Sequence, residues 1–320
     1  MSILAVEEGK RFVAYHADTV EVARQMPDRS VDFSVFSPPF ASLYTYSNSP
    51  RDMGNVRTHG EFFEHYAYLI KEQFRVMRPG RITAIHCMLM PTSKERDGHI
   101  GLRDFRGDII RAYEKAGFIF HSEVCIWKDP VTAMQRTKAL GLLHKTIRKD
   151  SSMSRQGIAD YLVMMRMPGV SESPIAHTHD SFPVERWQRY ASPVWVTTAG
   201  VDDEGFAICN GESRTGDDSC SINPSDTLQK GSAREHEDER HVAPLQKQVI
   251  RRATRLWSHP GDVVWSPFMG IGSEGHVALQ EGRRFVGAEL KRSYYETAVR
   301  NLTAAETVRQ TGLFAESALG

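Results

Sequence analysis

The chain has 320 residues, of which 40% are hydrophobic and 25% are charged, and its 40 basic and 40 acidic side chains cancel. This length and composition predict one large or two modest globular domains with a substantial core, and they exclude a disordered tail or a minimal scaffold. Since the formal net charge is zero, any attraction to phosphate must come from a local basic patch. The start of the chain lacks the pattern of a signal peptide, and no apolar run is long enough to cross a membrane, so we expect a cytoplasmic protein without a membrane partner.

Between Phe12 and Ala191, short apolar runs alternate with helical patterns, which predicts an α/β sheet. One helical pattern ends at Arg78-Pro79-Gly80, because proline and glycine stop a helix. Its apolar residues recur at helical spacing, so we expect them in the core: Phe62, Tyr66, Leu69, Ile70 and Phe74. The predicted strands of this half are FVAYH, VDFSVFS, RITAIHCM, FIFHSEVCIW and DYLVMMRM.

The second of these strands runs directly into Ser37-Pro38-Pro39-Phe40. Proline fixes its own φ and has no N–H to donate, so the chain stiffens and leaves the sheet at this corner. Taken alone, a proline pair is equally consistent with a simple strand terminator. A functional site there requires support from another part of the chain.

A basic stretch lies between residues 134 and 155, where six cations accompany a single acid, Asp150. Such a stretch is typical of contacts with backbone phosphates, but it is also typical of a solvated helix and loop face. The six cations are Arg136, Lys138, Lys145, Arg148, Lys149 and Arg155.

Residues 170–240 are rich in Ser, Gly, Asp, Glu and Pro and contain few apolar runs, which predicts either a small irregular insert domain or a partly mobile segment. Its tryptophans, Trp187 and Trp195, are candidates for ligand contacts or, as the favoured interpretation, for a small core. The other candidates for ligand contacts are Arg189, Tyr190 and Arg214.

From residue 241 the α/β pattern returns, and the strand DVVWSPF ends in a turn that contains Gly270, Gly272 and Gly275. Glycines there permit positive φ and close approach of a ligand to the backbone. The next strand ends in Glu289, at the place where a Rossmann-like site holds ribose hydroxyls. Because the turn lacks the GK[ST] of a phosphate-binding loop, it suits S-adenosylmethionine better than NAD or ATP.

The order of SVDFSVFSPPF, HVAPLQ, GDVVWSPFMGIGSEG and RRFVGAEL resembles that of the β-class DNA amino-methyltransferases, which modify cytosine N4 or adenine N6. In that family the catalytic motif precedes the cofactor motif. The resemblance covers about residues 12–168 and 241–302 and implies a circularly permuted, Rossmann-like methyltransferase fold that uses S-adenosyl-L-methionine. It divides the chain into a discontinuous catalytic and cofactor-binding domain, 1–168 and 241–320, and a target-recognition insert, 169–240.

The resemblance also implies roles for the matching residues. The catalytic corner would be Ser37, Pro38, Pro39 and Phe40, with Phe40 stacked on a flipped base. The family often has Asp where this chain has Ser266, so one carboxylate contact to the cofactor's amino group is lost. The cofactor-binding residues would be Asp18, His241, Pro244, Gln246, Ser266, Pro267, Phe268, Gly270, Gly272, Ser273 and Glu289.

The proline corner has a chemical rationale within this resemblance. The lone pair of an exocyclic amine is delocalised into the base, so the amine must be held by acceptors while it faces the methyl group. The Ser37 hydroxyl and the Pro38 carbonyl can each accept an N–H. Positioning of this kind can lower a barrier by roughly 7–11 kcal/mol.

Several alternatives remain at this point. Serine at the first motif position favours cytosine N4, whereas adenine N6 enzymes more often have Asp or Asn; a catalytically silent DNA-binding relative is the alternative outside enzymes. RNA and protein-glutamine methylation are disfavoured by the motif order, and C5 methylation is disfavoured because no cysteine follows a proline as that family requires. Double-stranded DNA is the expected partner, no metal is expected, and a homodimer and a cognate restriction nuclease remain open.

Overall fold

The computed structural model describes residues 3–39, 53, 56, 58–131, 140–197, 222–228 and 244–317. The strands are β1 Ala5–Glu8, β2 Phe12–His16, β3 Val31–Phe36, β4 Met77–Met88, β5 Met90–Pro91, β6 Leu102–Arg103, β7 Ile119–Trp127, β8 Asp160–Arg166, β9 Val194–Val196, β10 Val263–Ser266 and β11 Arg284–Glu289. The helices are α1 Thr19–Gln25, α2 His59–Val76, α3 Lys94–Asp97, α4 Phe105–Lys115, α5 His144–Ile147, α6 Val184–Tyr190, α7 Lys247–Trp257, α8 Ser273–Gln280 and α9 Arg292–Ser317.

Nine of these strands form one sheet, in the order β1-β2-β11-β10-β3-β4-β8-β7-β9. The five strands from β2 to β4 are mutually parallel, whereas β8 runs antiparallel to both of its neighbours. The carboxyl ends of β2, β11, β10 and β3 therefore meet at one edge of the sheet, where the amino end of β8 also lies. In open α/β sheets, ligands bind at this edge.

Helices cover both faces of the sheet, and the alternation of apolar residues along each strand supplies the core on each side. On one face, Phe33 and Val35 of β3 pack with buried residues of α7, α8 and α9. On the other, Val31 and Phe36 pack with α1, α2 and α4. The predicted core of α2 is confirmed for its first four members, which are at most 1% exposed, while Phe74 is half-buried.

The strands predicted from apolar runs are confirmed in the described residues, and β1, β5 and β6 are strands that the sequence did not predict. The helix α2 ends at Val76, so Arg78, Pro79 and Gly80 lie in β4 and not at the helix end that the sequence predicts. The last helix runs from Arg292 to Ser317. Within the stretch 169–240, the short strand β9 pairs in parallel with β7 at the edge of the main sheet. Among the described residues, no helix has the length and apolar character needed to cross a membrane.

Candidate active site

The proline corner and the glycine-rich turn follow two adjacent strands. β3 and β10 pair in parallel, with Val264 beside Phe33 and Trp265 beside Ser34. Because parallel neighbours end at the same edge, the corner after β3 and the turn after β10 lie side by side. The rings of Phe36 and Phe268 join them, with centroids 5.9 Å apart.

A buried hydrogen-bond network fixes the strands beneath the corner. The Ser34 hydroxyl donates to the Trp265 carbonyl at 2.8 Å and accepts from Gln73 Nε2 at 3.0 Å. The same Gln73 nitrogen donates to Thr83 Oγ1 at 2.9 Å, and Tyr113 donates to Gln73 Oε1 at 2.6 Å. A buried network whose members satisfy one another rigidifies its surroundings, so the corner is held from below by β10, β4 and two helices.

Three polar side chains extend from the corner into the sheet. Ser37 Oγ lies 2.8 Å from His86 Nδ1, and His86 Nε2 lies 2.9 Å from Asp160 Oδ2. The ammonium group of Lys128 forms an ion pair with the same Asp160 oxygen. His86 and Asp160 are both buried, so this part of the hydrogen-bond network is shielded from bulk water.

The strand register explains how these residues meet. Asp160 is the first residue of β8 and pairs with Met88 of β4 and with Ile126 of β7. His86 is therefore two residues from that pairing on β4, and Lys128 follows β7 directly. Sequence reasoning missed this cluster; the available signals were a histidine inside the apolar run RITAIHCM and an aspartate that opens DYLVMMRM.

The charge state of Asp160 follows from its neighbours. Burial by itself raises the pKa of this carboxyl, but the nearby Lys128 and His86, through charge and hydrogen bonds, lower it to about 2. Asp160 is therefore ionised at neutral pH despite being almost inaccessible to water.

The glycine-rich turn has the backbone that its sequence predicts. Gly270 and Gly272 have φ of 52° and 86°, in the left-handed region that favours glycine. The Gly270 N–H donates to Glu289 Oε2 at 3.0 Å, which ties the turn to the end of β11. A Cβ on Gly270 would face open space, whereas one on Gly272 would lie 3.2 Å from the backbone of Ala298. The turn thus presents its Gly270 side to the cleft.

Two serines beside this turn lack partners. The hydroxyls of Ser266 and Ser273 are buried, and among the described residues neither has a hydrogen-bond partner. Buried polar groups are normally paired, so both hydroxyls suit a polar ligand. The charged methionine part of S-adenosyl-L-methionine carries a carboxylate and an ammonium group that fit this requirement.

The remaining predicted cofactor residues that the structure describes lie at the start of α1, just before α7 and in the glycine-rich turn. Asp18 caps α1, where its Oδ1 accepts from the N–H groups of Val20 and Glu21 at 3.0 and 3.2 Å. Asp18 follows β2 and lies at the same edge of the sheet as Glu289. The backbone carbonyl of Glu289 accepts a hydrogen bond from the backbone N–H of Ala17. Half-buried Pro244 and buried Gln246 immediately precede α7. Pro267 lies between Ser266 and Phe268 in the turn, and His241 and Phe40 lie outside the described residues.

A buried acid also lies at the turn. Glu274, in the first turn of α8, is 5% exposed. Burial raises the pKa of Glu274 to about 8; a hydrogen bond from its own N–H opposes this shift, and the charge of Glu289 reinforces it. Glu274 is therefore mostly protonated at neutral pH.

The basic stretch leaves the sheet after β7 and returns at β8, so it emerges beside Lys128 and Asp160. Lys145, Arg148 and Lys149 are exposed to solvent. Arg155 is a half-buried residue, and the backbone N–H of Arg155 donates to the Gly141 carbonyl at 2.7 Å. Arg136 and Lys138 lie outside the described residues.

The two tryptophans of the 170–240 stretch have different surroundings. Trp195 is 1% exposed, and the Arg252 guanidinium contacts both its ring and that of Tyr190, at 5.2 and 5.3 Å from the centroids. Trp187 is 55% exposed on α6. The expected small core therefore includes Trp195 but not Trp187, while Arg214 lies outside the described residues.

Comparisons with known proteins agree with this arrangement. A family model for N6 and N4 methyltransferases, described as DNA methylase, matches residues 31–300. Type II methyltransferase M.BglII of Bacillus subtilis is 23% identical over 291 residues, which are 90% of this chain and 68% of that protein. DNA adenine methyltransferase YhdJ of Escherichia coli is 25% identical over 204 residues, 56% of this chain and 69% of that protein.

Solved structures show the same fold. TTHA0409 from Thermus thermophilus, in complex with S-adenosyl-L-methionine, has a TM-score of 0.59 at 22% identity and covers 91% of this chain and 94% of its own. PvuII DNA methyltransferase, described as cytosine-N4-specific, has a TM-score of 0.59 at 14% identity and covers 94% of this chain and 90% of its own. The Rossmann-like α/β fold expected from the sequence is therefore confirmed.

Proposed function

Because the chain belongs to the N6/N4 DNA methylase family, we propose that it transfers a methyl group from S-adenosyl-L-methionine to the exocyclic amine of a flipped DNA base, with cytosine N4 as the favoured target. The observation that carries this proposal is that the Ser37 corner and the Gly270 turn follow hydrogen-bonded parallel strands and so lie side by side at one edge of the sheet. One part holds a base and the other holds a methyl donor.

The cofactor is supported by the chemistry of its pocket. Gly270 faces open space, the hydroxyls of Ser266 and Ser273 are buried and unpaired among the described residues, and Glu289 ends the neighbouring strand. TTHA0409, which shares the fold, is known in complex with S-adenosyl-L-methionine. When bound, that molecule supplies an electrophilic methyl group on a sulfonium.

The residues of the corner would prepare the amine for attack. Ser37 Oγ and the Pro38 carbonyl would accept its two N–H bonds, which aims the nitrogen lone pair at the methyl group. The nitrogen would be the nucleophile toward the methyl group that the bound cofactor would supply. No covalent bond to the protein is needed, since the nucleophile belongs to the base.

A cysteine-dependent route to C5-methylcytosine is not supported by the described cysteines. Cys87 is buried in β4, and burial raises its pKa far above the ordinary value of a thiol. Burial also raises the pKa of Cys125, on β7. Neither thiol is prepared to become the thiolate nucleophile that this chemistry requires.

Two base positions are candidates for the methylation target. Serine at position 37 favours cytosine N4, as in the subgroup that the catalytic motif resembles. Adenine N6 is the alternative, because YhdJ, a relative at 25% identity, is named a DNA adenine methyltransferase.

Contact with DNA would involve the exposed cations Lys145, Arg148 and Lys149. They lie on the segment between β7 and β8, which leaves and re-enters the sheet beside the Ser37 corner. A duplex whose base enters the cleft would bring its phosphates near this segment. Phosphate contacts position a protein on DNA without reading its sequence.

One experiment tests both the activity and the base. The protein is incubated with unmethylated genomic DNA and methyl-labelled S-adenosyl-L-methionine, the DNA is digested to nucleosides, and the products are identified by mass. N4-methylcytosine is the expected product. N6-methyladenine would correct the base, and a folded protein that binds the cofactor without forming either product would show a catalytically silent relative.

A further inference from the structure

The most informative feature that the proposed function leaves unused is the hydrogen-bond network formed by the side chains of Ser37, His86 and Asp160. Its two hydrogen bonds, of 2.8 and 2.9 Å, join residues from β4 and β8 to the first residue of the catalytic corner. Buried polar groups in a sheet are costly unless they are paired. Here each of them is paired, and the chain ends at the place where the amine would be held.

The ionised Asp160 decides how the imidazole is protonated. A carboxylate can only accept, so the nitrogen that faces it, Nε2, must carry a proton. In the neutral imidazole the other nitrogen, Nδ1, is then an acceptor. The Ser37 hydroxyl must therefore donate its proton to Nδ1, and its lone pairs are left to point away from His86.

This orientation addresses a weakness of serine at the first motif position. A hydroxyl can donate or accept a hydrogen bond. A hydroxyl that points its proton toward the base would not accept a hydrogen bond from the amine. With its proton committed to His86, Ser37 Oγ acts only as an acceptor toward the cleft. Lys128 supports the arrangement from the other end, because its ion pair keeps Asp160 in the carboxylate form.

We propose that His86 is a positioning residue and proton acceptor that acts through Ser37 during methyl transfer, an inference that rests on the proposed function. As nitrogen bonds to the methyl carbon and sulfur takes the electron pair, the amine becomes cationic. It loses one proton to Ser37 Oγ while the Ser37 proton moves to His86 Nδ1. The resulting imidazolium is paired with Asp160, and it returns the proton to solvent after the product leaves.

The test is a double-mutant cycle on single-turnover methyl transfer, with saturating DNA and S-adenosyl-L-methionine. The variants are His86→Leu, Ser37→Ala and the combination of the two. A residue that acts through another loses its effect when that other residue is absent. His121→Gln serves as the matched control, because His121 is an exposed histidine of β7 in the same sheet.

We expect His86→Leu to slow methyl transfer by about 10²-fold or more, the usual contribution of proton transfer by a side chain. Its S-adenosyl-L-methionine affinity, measured by calorimetry, should stay close to the wild-type value, and its melting temperature should fall by only a few degrees, because Asp160 loses His86 but keeps Lys128. Adding His86→Leu to Ser37→Ala should slow the reaction no further than about twofold. His86→Asn, which keeps an acceptor near Nδ1 but takes no proton, should restore only part of the rate.

If the rate reduction in the double variant equals the product of the reductions in the two single variants, the inference is overturned, because His86 would then act independently of Ser37. A His86→Leu variant that fails through weaker cofactor binding or loss of the folded state would also overturn it, since the role would be structural. A full wild-type rate in His86→Asn would overturn proton acceptance. A wild-type protein that methylates no base would instead overturn the proposed function, so the two failures are distinguishable.

Discussion

Phe36 and Phe268 pack against each other with their ring centroids 5.9 Å apart, although the two residues lie far apart along the sequence. Each residue adjoins a motif: Phe36 precedes Ser37, and Phe268 precedes the Gly270 turn by two positions. The contact sets the distance between the part that would hold the base and the part that would hold the methyl donor. Methyl transfer depends on this distance, because the gain from positioning is lost when the reacting atoms are misplaced.

The first prediction concerns Gly270. Gly270→Val should abolish binding of S-adenosyl-L-methionine, because the added side chain would occupy the open space of the cleft and because valine is strained at a φ of 52°. Isothermal calorimetry measures the affinity. Gly98→Val is the matched control, since Gly98 also has positive φ, of 75°, and faces open space outside the cleft. Equal losses of affinity in the two variants would mean that backbone strain alone, and not the cleft, explains the effect.

The second prediction concerns the pH dependence of stability. The pKa of Glu274 is raised to about 8 in the folded state, above the ordinary value of 4.5 for a glutamate. The folded protein therefore binds this proton more tightly, and the stabilisation is complete below about pH 4.5 and is lost as the pH rises through 8. The free energy of unfolding of the wild type minus that of Glu274→Gln should fall by a few kcal/mol, roughly, between pH 5 and 9.

Urea denaturation across that pH range measures this difference. Glu114→Gln is the control, because Glu114 is exposed on α4. Taking the difference between variants removes the contribution of all other titrating groups. A difference for Glu274→Gln that stays constant with pH would show that the carboxyl is ionised in the folded protein.

The third prediction concerns the exposed cations of the segment between β7 and β8. The double variant Arg148→Ala, Lys149→Ala should bind duplex DNA more weakly, and the slope of log K against log salt should become shallower by about 2 units if both contact phosphates. Fluorescence anisotropy at several salt concentrations measures the slope. Lys71→Ala, on the exposed side of α2, should leave both quantities unchanged. An unaltered slope in the double variant would assign these cations to solvent rather than to DNA.

The sequence predicted those parts of the fold and site that depend on local patterns. The strand that contains Phe36 and the turn that contains Gly270 follow from apolar runs, proline and glycine, and their meeting follows from the motif order of the family. The cluster at Ser37 could not be predicted in this way, because His86 and Asp160 are 49 and 74 positions from their partners along the chain. Only the register of β4 and β8 brings them together, and a single sequence does not reveal register between distant strands.

The segment 169–240 shows the same limit in a different form. Its composition lacks the periodicity that identifies a buried face, so Trp187 and Trp195 were treated alike. The structure separates them, because β9 joins the edge of the sheet beside β7 and turns Trp195 inward over Arg252. Trp187 lies on α6, where its ring is left in solvent. Of the two tryptophans, only Trp187 therefore remains a candidate for base contact.

The fourth prediction tests this separation. Trp195→Ala should lower the free energy of unfolding by about 3–5 kcal/mol, because it removes a buried indole and the contact with Arg252. Trp187→Ala should change the free energy of unfolding by less than about 0.5 kcal/mol, as expected for an exposed residue. If Trp187 stacks on a base, its removal should weaken DNA binding by about tenfold, since stacking contributes about 1–3 kcal/mol per base. Val184→Ala, an exposed apolar residue on the same helix, is the control for both measurements. A large fall in the free energy of unfolding of Trp187→Ala would show that Trp187 belongs to a core, separate from that of Trp195. An unchanged DNA affinity of the same variant would exclude Trp187 from base recognition.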